Sequence, residues 1–493
     1  MEGILLSSAS YLLVLALALL VAIICSAPKK GQGSKGTRAP GPRPWPLVGS
    51  LHLLGGYAVP YQAFDVLAQK YGSVLSITLG EVPCLVVSSL EHIKEVLFAK
   101  GDHFDGRPNF RRFEPLFSGD KQNSLAFCDW SVVQKIRREM LRAHTFPRAF
   151  TTRFHQLDSL LNEELNELTL QLELTDRPTA IKPLLLQACA NVFTAYFCTS
   201  KFSRDDAGFV NMVKNFDNIF YEVNRGCAAD FMPWLMPLHR RQLAQMERWS
   251  DEIRQFVVSR IVSERLESWT ADREEEDYVD ALIGHVKDEK AAMSLETALF
   301  ALEDIVGGHS AVANLLVKIL GFVARRPDVQ KRVQMEVDDI SAGRDITLAD
   351  RTLMPYTEAI VLESIRHISS PIVPHVANQT SSIAGYEVEN GTLIFLNNYT
   401  LNMSPELWEE PEKFAPERFL SSEGKLIKPE HFLPFGGGRR SCMGYKMTQF
   451  VAFSTLATLL QRFDILPETD VYDIPLGNLA LPYDTLKFRF LPR

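Results

Sequence analysis

Cysteine is scarce in this sequence, and its few occurrences are scattered. Seven cysteines occur among 493 residues, and no two of them form a CxxC pair. An odd number without regular spacing argues against a disulfide framework and against a zinc finger, and it suits reducing surroundings. The cysteines lie at positions 25, 84, 128, 189, 198, 227 and 442.

The sequence also has no strong excess of one charge. Its 52 basic and 60 acidic residues give a formal net charge of −8, which is too mild to indicate a nucleic-acid binder by bulk field. Internal repeats are absent, and a composition that is 46% hydrophobic and 23% charged excludes disordered and collagen-like chains. The length fits about three domains of typical size or one large fold.

A long hydrophobic run lies near the N-terminus. Between Ile4 and Cys25 the chain is apolar apart from three serines and one tyrosine. A helix of about 22 residues reaches about 33 Å, enough to cross a bilayer. Lys29 and Lys30 follow the run and one acidic residue precedes it, so we expect a membrane anchor at residues 1–27 with the body in the cytosol. A cleaved signal peptide is the alternative, but it needs positive charge before its apolar core.

A basic and proline-rich linker is expected at residues 28–50. Its segment Pro40–Pro46 carries four prolines, which stiffen the backbone toward polyproline II. The linker also contains Gly31, Gly33 and Gly36 in a GxGxxG spacing, but a dinucleotide loop needs a strand before it and a helix after it. We therefore expect no nucleotide site there, and we assign residues 51–493 to the folded domain.

Long helical patterns dominate the rest of the sequence. Residues Ser73–Val87 predict two strands joined by a turn. Helical periodicity predicts helices over Phe154–Leu174 and Trp249–Trp269. The longest predicted helix runs over Ser294–Arg326, and Pro327 ends it. We therefore expect a mainly α fold with a small β part.

A glycine-rich segment near the C-terminus carries the most informative chemistry. Three glycines, at 436–438, are followed by Arg440 and Cys442. Glycines let the backbone approach a bound group closely, and a thiolate at the start of a helix is stabilised by the helix dipole. We predict such a helix over Met443–Phe463. The cysteine is then a suitable axial ligand for iron; the alternative is a buried structural cysteine in a turn.

Five residues of this segment have a specific spacing. Phe435, Gly438, Arg440, Cys442 and Gly444 form the pattern F-x-x-G-x-R-x-C-x-G. This pattern resembles the haem-thiolate signature of the cytochromes P450. The resemblance implies the P450 fold, a mono-oxygenase domain over residues 51–493 and haem b as the cofactor. It also implies that Cys442 is the axial ligand of the iron and that the other four residues bind the cofactor.

Two further motifs support the resemblance. Glu363 and Arg366 form E-x-x-R on a predicted helix, a spacing that places both side chains on one face. Alone, such a pair is most often a solvated surface pair. Downstream, Phe414–Phe419 is similar to the family's F-x-P-E-R-F motif. The resemblance implies that Glu363, Arg366 and Arg418 form a buried structural network behind the haem, with no catalytic role.

The resemblance also assigns residues to the haem propionates. His375 occupies the place where the family has a propionate donor, and the alternative is a strand residue without this role. Trp130 matches the first residue of the family's W-x-x-x-R, but Gln134 stands where the arginine is usual. Lys135 and Arg138 are the nearest cations, so either is a candidate replacement.

The middle of the longest predicted helix departs from the family pattern A/G-G-x-D/E-T, whose acid and alcohol relay protons to bound oxygen. In our alignment the acid position is Ala311 and the alcohol position is Val312. Neither side chain can donate a proton. Gly308, His309 and Ser310 are therefore the candidate catalytic residues, with His309 or Ser310 replacing the relay directly or through water. The alternative is that His309 faces the protein interior with a partner of its own.

The resemblance implies a redox partner and a membrane. Since no flavin or nicotinamide motif is present, electrons are expected from NADPH through a separate reductase. A basic patch would attract an acidic flavoprotein, and the alternative is a solvated charged helix face. Microsomal members of the family lie in the endoplasmic reticulum membrane; no nucleic-acid partner is expected. The candidate patch consists of Lys135, Arg137, Arg138, Arg142, Arg439 and Lys446.

Within the family, the Gly-Gly-His-Ser helix resembles the insect spook/spookier group. That group implies a sterol substrate and early steps of ecdysteroid synthesis from 7-dehydrocholesterol. Two alternatives are an enzyme of P450 fold that rearranges or dehydrates its substrate without activating O₂, and a haem-thiolate sterol binder without turnover. Aromatic residues in a loop-like region suit a large apolar ligand or are ordinary core residues. They are Phe104, Phe110, Phe113 and Phe117.

Overall fold

The computed structural model describes residue 15 and residues 37–175, 177–288, 292–469 and 474–493. Apart from Leu15, the predicted membrane anchor at residues 1–27 lies outside the described residues, as does the predicted linker up to residue 36. The described chain is mainly helical with a small strand-rich part, so the predicted fold class is confirmed.

Fifteen helices of the α type occur in the described ranges beyond residue 36. Those of the first half are α1 (Pro60–Tyr71), α2 (Leu90–Lys94), α3 (Val132–Thr145), α4 (Thr152–Glu173), α5 (Lys182–Cys198), α6 (Ala207–Asn224), α7 (Arg240–Val257) and α8 (Ser263–Glu267). The later ones are α9 (Tyr278–Lys287), α10 (Leu295–Val306), α11 (Gly308–Ala324), α12 (Pro327–Ser341), α13 (Pro355–Ile368), α14 (Asn398–Met403) and α15 (Tyr445–Arg462). Shorter 3₁₀ segments are Leu51–Leu53, Arg111–Phe117, Lys121–Asn123, Ala228–Asp230, Pro233–His239, Leu348–Leu353, Pro416–Phe419 and Gly438–Arg440, and π-helical turns are Glu95–Ala99 and Val258–Val262.

The strands of the described residues form three small sheets. The strands are β1 (Val74–Leu79), β2 (Val82–Val87), β3 (Thr179–Ala180), β4 (His375–Val376), β5 (Ser381–Ile383), β6 (Tyr386–Val388), β7 (Leu393–Leu396), β8 (Phe463–Pro467) and β9 (Lys487–Pro492). In the largest sheet, β1 and β2 are antiparallel, β2 and β7 are parallel, and β7 and β4 are antiparallel. A second sheet has the order β3-β9-β8, and β5 pairs with β6 in the third.

The main core lies around α11, which packs against α5, α13 and α15. Every residue of α11 from Val312 to Ala324 is buried, as expected for a helix that is apolar all round. Together, α10 and α11 span Leu295–Ala324, which is the one candidate membrane span among the described residues. Since 83% of its apolar window is buried inside the protein, we assign it as the central core helix.

Individual elements follow the sequence predictions, with differences at their ends. The predicted strands at Ser73–Val87 are β1 and β2, and the predicted helix Phe154–Leu174 is α4. The helix predicted over Trp249–Trp269 begins earlier, at Arg240, because the residues before the first tryptophan continue its amphipathic pattern. The central helix is interrupted at Gly307, between α10 and α11.

The described part of the proline-rich segment packs along β1. The Ser76 N–H donates to the Pro40 carbonyl at 2.8 Å, and the Gly80 N–H donates to the Val48 carbonyl at 3.1 Å. At Gly41, an ideal Cβ atom would lie 1.8 Å from the Ser76 carbonyl oxygen, so this close approach requires glycine. Backbone hydrogen bonds therefore fix residues 40–48 on the edge of the sheet.

Candidate active site

The glycine-rich cysteine loop lies directly on the π-helical turn that follows α2. An ideal Cβ atom at Gly437 would lie 2.4 Å from Cζ of Phe98, and one at Gly438 would lie 2.1 Å from the Leu97 carbonyl oxygen. Gly438 also has a φ of +60°, which other residues rarely adopt. Close packing and backbone conformation therefore explain the glycine run before the cysteine.

Cys442 keeps accessible surface although it lies deep in the fold. The backbone N–H of Cys442 donates to the Phe435 carbonyl at 3.0 Å. Desolvation raises the pKa of the thiol and outweighs the opposite effects of the Gly444 backbone and Arg138. The helix α15 begins two residues later than predicted, at Tyr445, and the backbone of Gly444 just before it lowers the pKa of the thiol, as expected for a helix N-terminus, but by less than desolvation raises it. Since the side chain is accessible although desolvation dominates its pKa, we infer that it borders an internal space.

Arg440 is buried with two of its donor atoms unpaired. Its Nη2 atom donates to the carbonyl oxygens of Ala126 at 3.1 Å and Cys128 at 2.8 Å. Its Nε and Nη1 atoms have no hydrogen-bond partner in the described part of the chain. Unpaired buried donors on a charged group are costly, so they require an acceptor that these residues do not supply.

Arg107 and Arg138 add further positive charge around Arg440. Arg107 is buried and donates to the carbonyls of Val373 and Pro374 at 3.3 and 3.1 Å. Arg138 donates to the Ser441 carbonyl. Desolvation, followed by the charge of Arg440, lowers the pKa of Arg107 well below its usual value and that of Arg138 to about 10. Three mutually repelling guanidinium groups in one buried place indicate an anionic ligand.

His375, on β4, lies beside this arginine cluster. Its side chain is buried, and Nδ1 donates to the Phe104 carbonyl at 2.6 Å. Desolvation, and then the charge of Arg107, lowers the pKa of His375 well below its usual value, so the ring is neutral at pH 7. With its proton on Nδ1, the ring donates through Nε2 only when protonated, a change that a bound carboxylate would favour.

Lys135 does not lie with the arginine cluster, whereas Arg138 does. The Lys135 side chain is 62% exposed, and its partner is Glu139 at 3.9 Å on the same face of α3. Trp130, the other residue of the altered motif, lies with its ring 5.2 Å from the Arg439 guanidinium. The structure thus separates the two candidate cations and leaves Arg138 as the one near Arg440.

The arrangement fits a cofactor that carries both a metal and carboxylates. No group of three or more histidine, cysteine, aspartate or glutamate side chains in the described ranges could hold a metal ion by itself. A porphyrin would supply the remaining iron ligands, and its propionates would be suitable acceptors for the unpaired donors of Arg440. Sequence reasoning missed Arg107, because a single arginine in an aromatic loop has no motif spacing that marks it.

One residue of the predicted basic patch is not available on the surface. Arg137 is 1% exposed and donates to the Asn123 and Gln122 carbonyls at 2.7 and 3.0 Å. The prediction was wrong for Arg137, because its side of α3 turns inward onto the preceding loop. Arg138 is half-buried and bonded to the cysteine loop. The patch residues that keep accessible surface are Lys135, Arg138, Arg142, Arg439 and Lys446.

The structure brings Glu363, Arg366 and Arg418 together in a buried network. Arg366 donates to the two Glu363 carboxylate oxygens at 2.7 and 2.8 Å, and Arg418 donates to one of them at 3.1 Å. Arg366 also donates to the carbonyls of Asn402 at 2.6 Å and Pro411 at 2.9 Å. Glu363 and Arg366 are fully buried. Because the carboxylate is paired with both guanidinium groups, the network ties α13 to the segment around these carbonyls.

At the break in the central helix, His309 bonds to the carbonyl that the break frees. The Ser310 N–H donates to the Gly307 carbonyl at 3.1 Å, and His309 Nδ1 donates to the Val306 carbonyl at 2.7 Å. His309 and Ser310 are fully buried, and the Ser310 hydroxyl lies 3.4 Å from Nε2 of His309. The structure therefore favours the interior role for His309 over a role as proton donor.

A different set of central-helix residues keeps accessible surface. Asp304, Gly308 and Ala311 lie at helical spacing and are half-buried, as is Gly307, whereas Val312 is 2% exposed. Ala311 thus keeps accessible surface on this face of the helix, whereas Val312, the alcohol position of our alignment, does not. Apart from Asp304, no side chain in this set can donate a proton.

Lowering the pH from about 7 to about 5 is expected to destabilise the protein through His309. Desolvation lowers the pKa of His309 from 6.5 to about 4, so the folded state keeps neutral a ring that the unfolded chain protonates. The stability from this ring is complete above pH 6.5 and is lost as the pH falls toward 4, by about 2 kcal/mol at pH 5.

Urea unfolding at the two pH values measures this loss. His309→Gln should remove this part of the pH dependence, whereas His155→Gln, at an exposed position on α4, should retain it. An unchanged pH dependence in His309→Gln would contradict the assignment.

Three of the four predicted substrate aromatics lie in one cluster near this helix face. The ring centroids of Phe110 and Phe113 are 5.6 Å apart, and those of Phe117 and Phe300, on α10, are 5.8 Å apart. Phe104 instead packs in the separate core beside the largest sheet, in agreement with the alternative that these are core residues. Phe113 and Phe117 are buried as well and pack with Phe110 and Phe300 in one apolar cluster.

Comparisons with known proteins agree with this geometry. A family model described as Cytochrome P450 matches residues 39–490. The chain is 41% identical over 489 residues to Cytochrome P450 307a1 of Drosophila melanogaster, which covers 93% of this chain and 90% of that relative. It is 29% identical over 486 residues to Cytochrome P450 1A1 of Macaca mulatta, covering 94% and 93% of the two chains. The resemblance that the motifs indicated, including the likeness to an insect P450, is confirmed.

Proposed function

The chain belongs to the cytochrome P450 family, and from this premise we propose that it is a mono-oxygenase that acts on a sterol. As a P450 it is a haem-thiolate oxidoreductase. We assign its place to ecdysteroid biosynthesis, in the early steps from 7-dehydrocholesterol. The 41% identity to an insect P450 supports this assignment, together with the Gly-Gly-His-Ser helix that resembles the spook/spookier group.

The cysteine loop is the proposed cofactor site. Cys442 is the proposed axial ligand, and the loop residues Phe435, Gly438 and Gly444 hold its backbone in place. The observation that carries this assignment is Arg440, whose Nε and Nη1 donors are buried without acceptors. Haem b, when bound, supplies the one-electron and O₂ chemistry. The protein contributes the thiolate, the charge that holds the propionates and the exclusion of water.

The propionates are the proposed ligands of the arginine cluster. Arg440 has two free donors for a carboxylate, and Arg107 and Arg138 lie close enough for the charge of Arg440 to lower their pKa values. His375 and Trp130 border the same region. Binding a dianionic group there would relieve the repulsion between the guanidinium groups, so cofactor binding and folding are expected to be coupled.

We propose that the side chains of the central helix shape the pocket and do not relay protons. Gly308, His309 and Ser310 were the sequence candidates, but His309 is neutral and its Nδ1 proton is committed to the Val306 carbonyl. Ala311, which keeps accessible surface on the central helix, is the proposed pocket-facing position of the relay. We therefore propose that ordered water, held near the break in the helix, supplies protons in place of a side-chain relay.

A large apolar substrate suits the walls of this pocket. Phe113, Phe117 and Phe300, a residue of α10, pack together in a buried aromatic cluster. Aromatic and aliphatic walls bind a rigid sterol ring system through burial of apolar area.

The proposed partner is NADPH–cytochrome P450 reductase at the endoplasmic reticulum membrane. The proposed architecture comprises an anchor at residues 1–27, a linker at 28–50 and a catalytic domain at 51–493. The basic residues of the predicted patch that keep accessible surface would steer an acidic flavoprotein to this side. They are Lys135, Arg138, Arg142, Arg439 and Lys446.

Reconstitution tests the proposed function. Purified holoprotein is combined with reductase, NADPH and 7-dehydrocholesterol, and sterol loss and O₂ uptake are measured together. We expect sterol loss that requires NADPH and is accompanied by O₂ uptake. Sterol turnover without reductant would favour instead the rearranging or dehydrating enzyme, which the missing acid–alcohol pair would suit. Tight sterol binding without product would favour the non-catalytic binder.

A further inference from the structure

A phenylalanine of α6 lies on the glycine at the break of the central helix. An ideal Cβ atom at Gly307 would lie 2.7 Å from Cε1 and 2.8 Å from Cδ1 of Phe216. Real Cβ atoms essentially never approach another atom so closely, so the ring is seated where a side chain would otherwise be. The edge of the same ring contacts His309, with centroids 5.5 Å apart and planes at 90°. The Phe216 ring thus occupies the space that the missing side chain of Gly307 leaves.

The seated ring borders the pocket. Phe216 and Gly307 are both half-buried, and Ala311, one helical turn further along, is half-buried as well. Their neighbours His309 and Ser310 are fully buried. Gly307 and Ala311 keep accessible surface in the middle of the central helix, and the Phe216 ring of α6 that lies against Gly307 keeps accessible surface as well, which indicates that the three residues border the same space.

The residue after Phe216 is held by a buried ion pair. Asp217 accepts from Lys182 Nζ at 2.7 Å and from Asn314 Nδ2 at 2.9 Å. The side chains of Lys182 and Asp217 are 0% and 2% exposed. Asn314 lies on α11 and Lys182 at the start of α5, so three helices meet at this carboxylate.

The same network also fixes a loop near the C-terminus. Lys182 donates to the Leu481 carbonyl at 2.6 Å, and the Leu481 N–H donates to Asn314 Oδ1 at 2.8 Å. Breaking one partner of a buried charge pair is strongly unfavourable, so α6 has little freedom to shift along α11 at this point. The ring of Phe216, adjacent in sequence, is therefore held in a fixed position.

We propose that Phe216 is a specificity-determining residue that limits the size of ligands over the central helix, and that Asp217 is the residue that positions it. The inference rests on the proposed function, since it concerns the substrate side of that same pocket. The Gly307–Phe216 contact then explains why glycine is present in the middle of a long helix, where it is unfavourable relative to alanine.

Ligand size provides the test. Imidazole and 4-phenylimidazole are titrated into purified holoprotein, and their dissociation constants are measured from the shift of the haem absorption. We expect Phe216→Ala to improve the binding of 4-phenylimidazole relative to imidazole by about tenfold, since removing the ring enlarges the space. Phe150→Ala, which removes an 87% exposed ring, is the control and should leave the ratio unchanged. An unchanged or opposite ratio in Phe216→Ala would overturn the proposal.

A second pair of variants tests the contact between Gly307 and Phe216. Gly307→Ala should push the ring into the pocket and weaken 4-phenylimidazole relative to imidazole by about tenfold, but in the Phe216→Ala background the same change should alter the ratio by less than about twofold. Equal effects of Gly307→Ala in wild type and in Phe216→Ala would contradict the proposed role of the contact between Gly307 and Phe216.

Asp217→Asn keeps the shape of the side chain but removes its charge. This variant should shift the ratio of 4-phenylimidazole to imidazole binding in the direction of Phe216→Ala, and no shift would exclude a positioning role for Asp217.

The reduced, carbon-monoxide-bound spectrum distinguishes a failure of the proposed function from a failure of the proposed role of Phe216. A protein without the haem-thiolate band refutes the proposed function, whereas a normal band with an unchanged ratio refutes only this inference.

Discussion

Cys442→Ala is expected to abolish the reduced, carbon-monoxide-bound absorption band that is typical of haem-thiolate proteins. The thiol is the proposed axial ligand, and no group of histidine, cysteine and acidic side chains in the described ranges offers an alternative metal site. Alanine has no donor atom, so the iron would lose its strongest protein bond. The measurement is the difference spectrum of protein made in the same host with haem precursor.

Controls separate ligation from folding. Cys227→Ala removes a half-buried cysteine, so this variant should keep the band. Cys442→His replaces the sulfur by a nitrogen ligand and should retain haem with the spectrum of a histidine-ligated protein. Retention of an unaltered haem-thiolate band by Cys442→Ala would contradict the assignment of the whole site.

Local patterns were the part that the sequence could predict. The strand pair of β1 and β2, helix α4 and the cysteine loop each depend on residues that are close together in the chain. The glycines of the loop are a clear example, because backbone conformation and close packing both leave a mark on the sequence at Gly438. The motif spacing then located Cys442 and Arg440 without knowledge of the fold.

The sequence could not predict the contacts between segments that are distant in the chain. Arg107 lies beside Arg440 and donates to the carbonyls of Val373 and Pro374, more than 260 positions away in the chain. Arg137 and Arg138 are neighbours, but the first is bonded to the loop before α3 and the second to the cysteine loop. Which face of a helix turns inward depends on its packing partners, and this decides the burial of each cation.

In the central helix, too, the sequence could not predict which residue lies on the accessible face. Our alignment placed the alcohol position at Val312, and the structure places Ala311 on the accessible face. Asp304, Gly308 and Ala311 lie at helical spacing on this face, so the helical phase continues past Gly307, but the sequence alone does not show which face is accessible. A contact with Phe216 causes the close packing at Gly307, and no local pattern records that contact.

Glu363→Ala is expected to destabilise the folded protein by about 3–5 kcal/mol, the usual effect of removing one partner from a buried ion pair. Arg366 would keep its charge in a fully buried position with carbonyl acceptors only. Arg418 would lose the same carboxylate. Since typical domains are stable by about 5–15 kcal/mol, the variant should be recovered mostly without haem or as aggregate. Urea unfolding and haem content per protein measure the effect.

The expected loss of stability arises because the Glu363 ion pairs are buried. An exposed ion pair provides the control. Glu423 pairs with Lys425 at 2.7 Å, a shorter distance than that between Glu363 and Arg418, but both side chains are at least 70% exposed. Water solvates these charges when the pair is broken, so Glu423→Ala should change the free energy of unfolding by less than about 1 kcal/mol. Glu363→Gln keeps the hydrogen-bonding shape and removes the charge, and it should lie nearer to Glu363→Ala than to wild type. If Glu363→Ala were as stable as Glu423→Ala, the network could not be what holds α13 to the segment that carries Arg418.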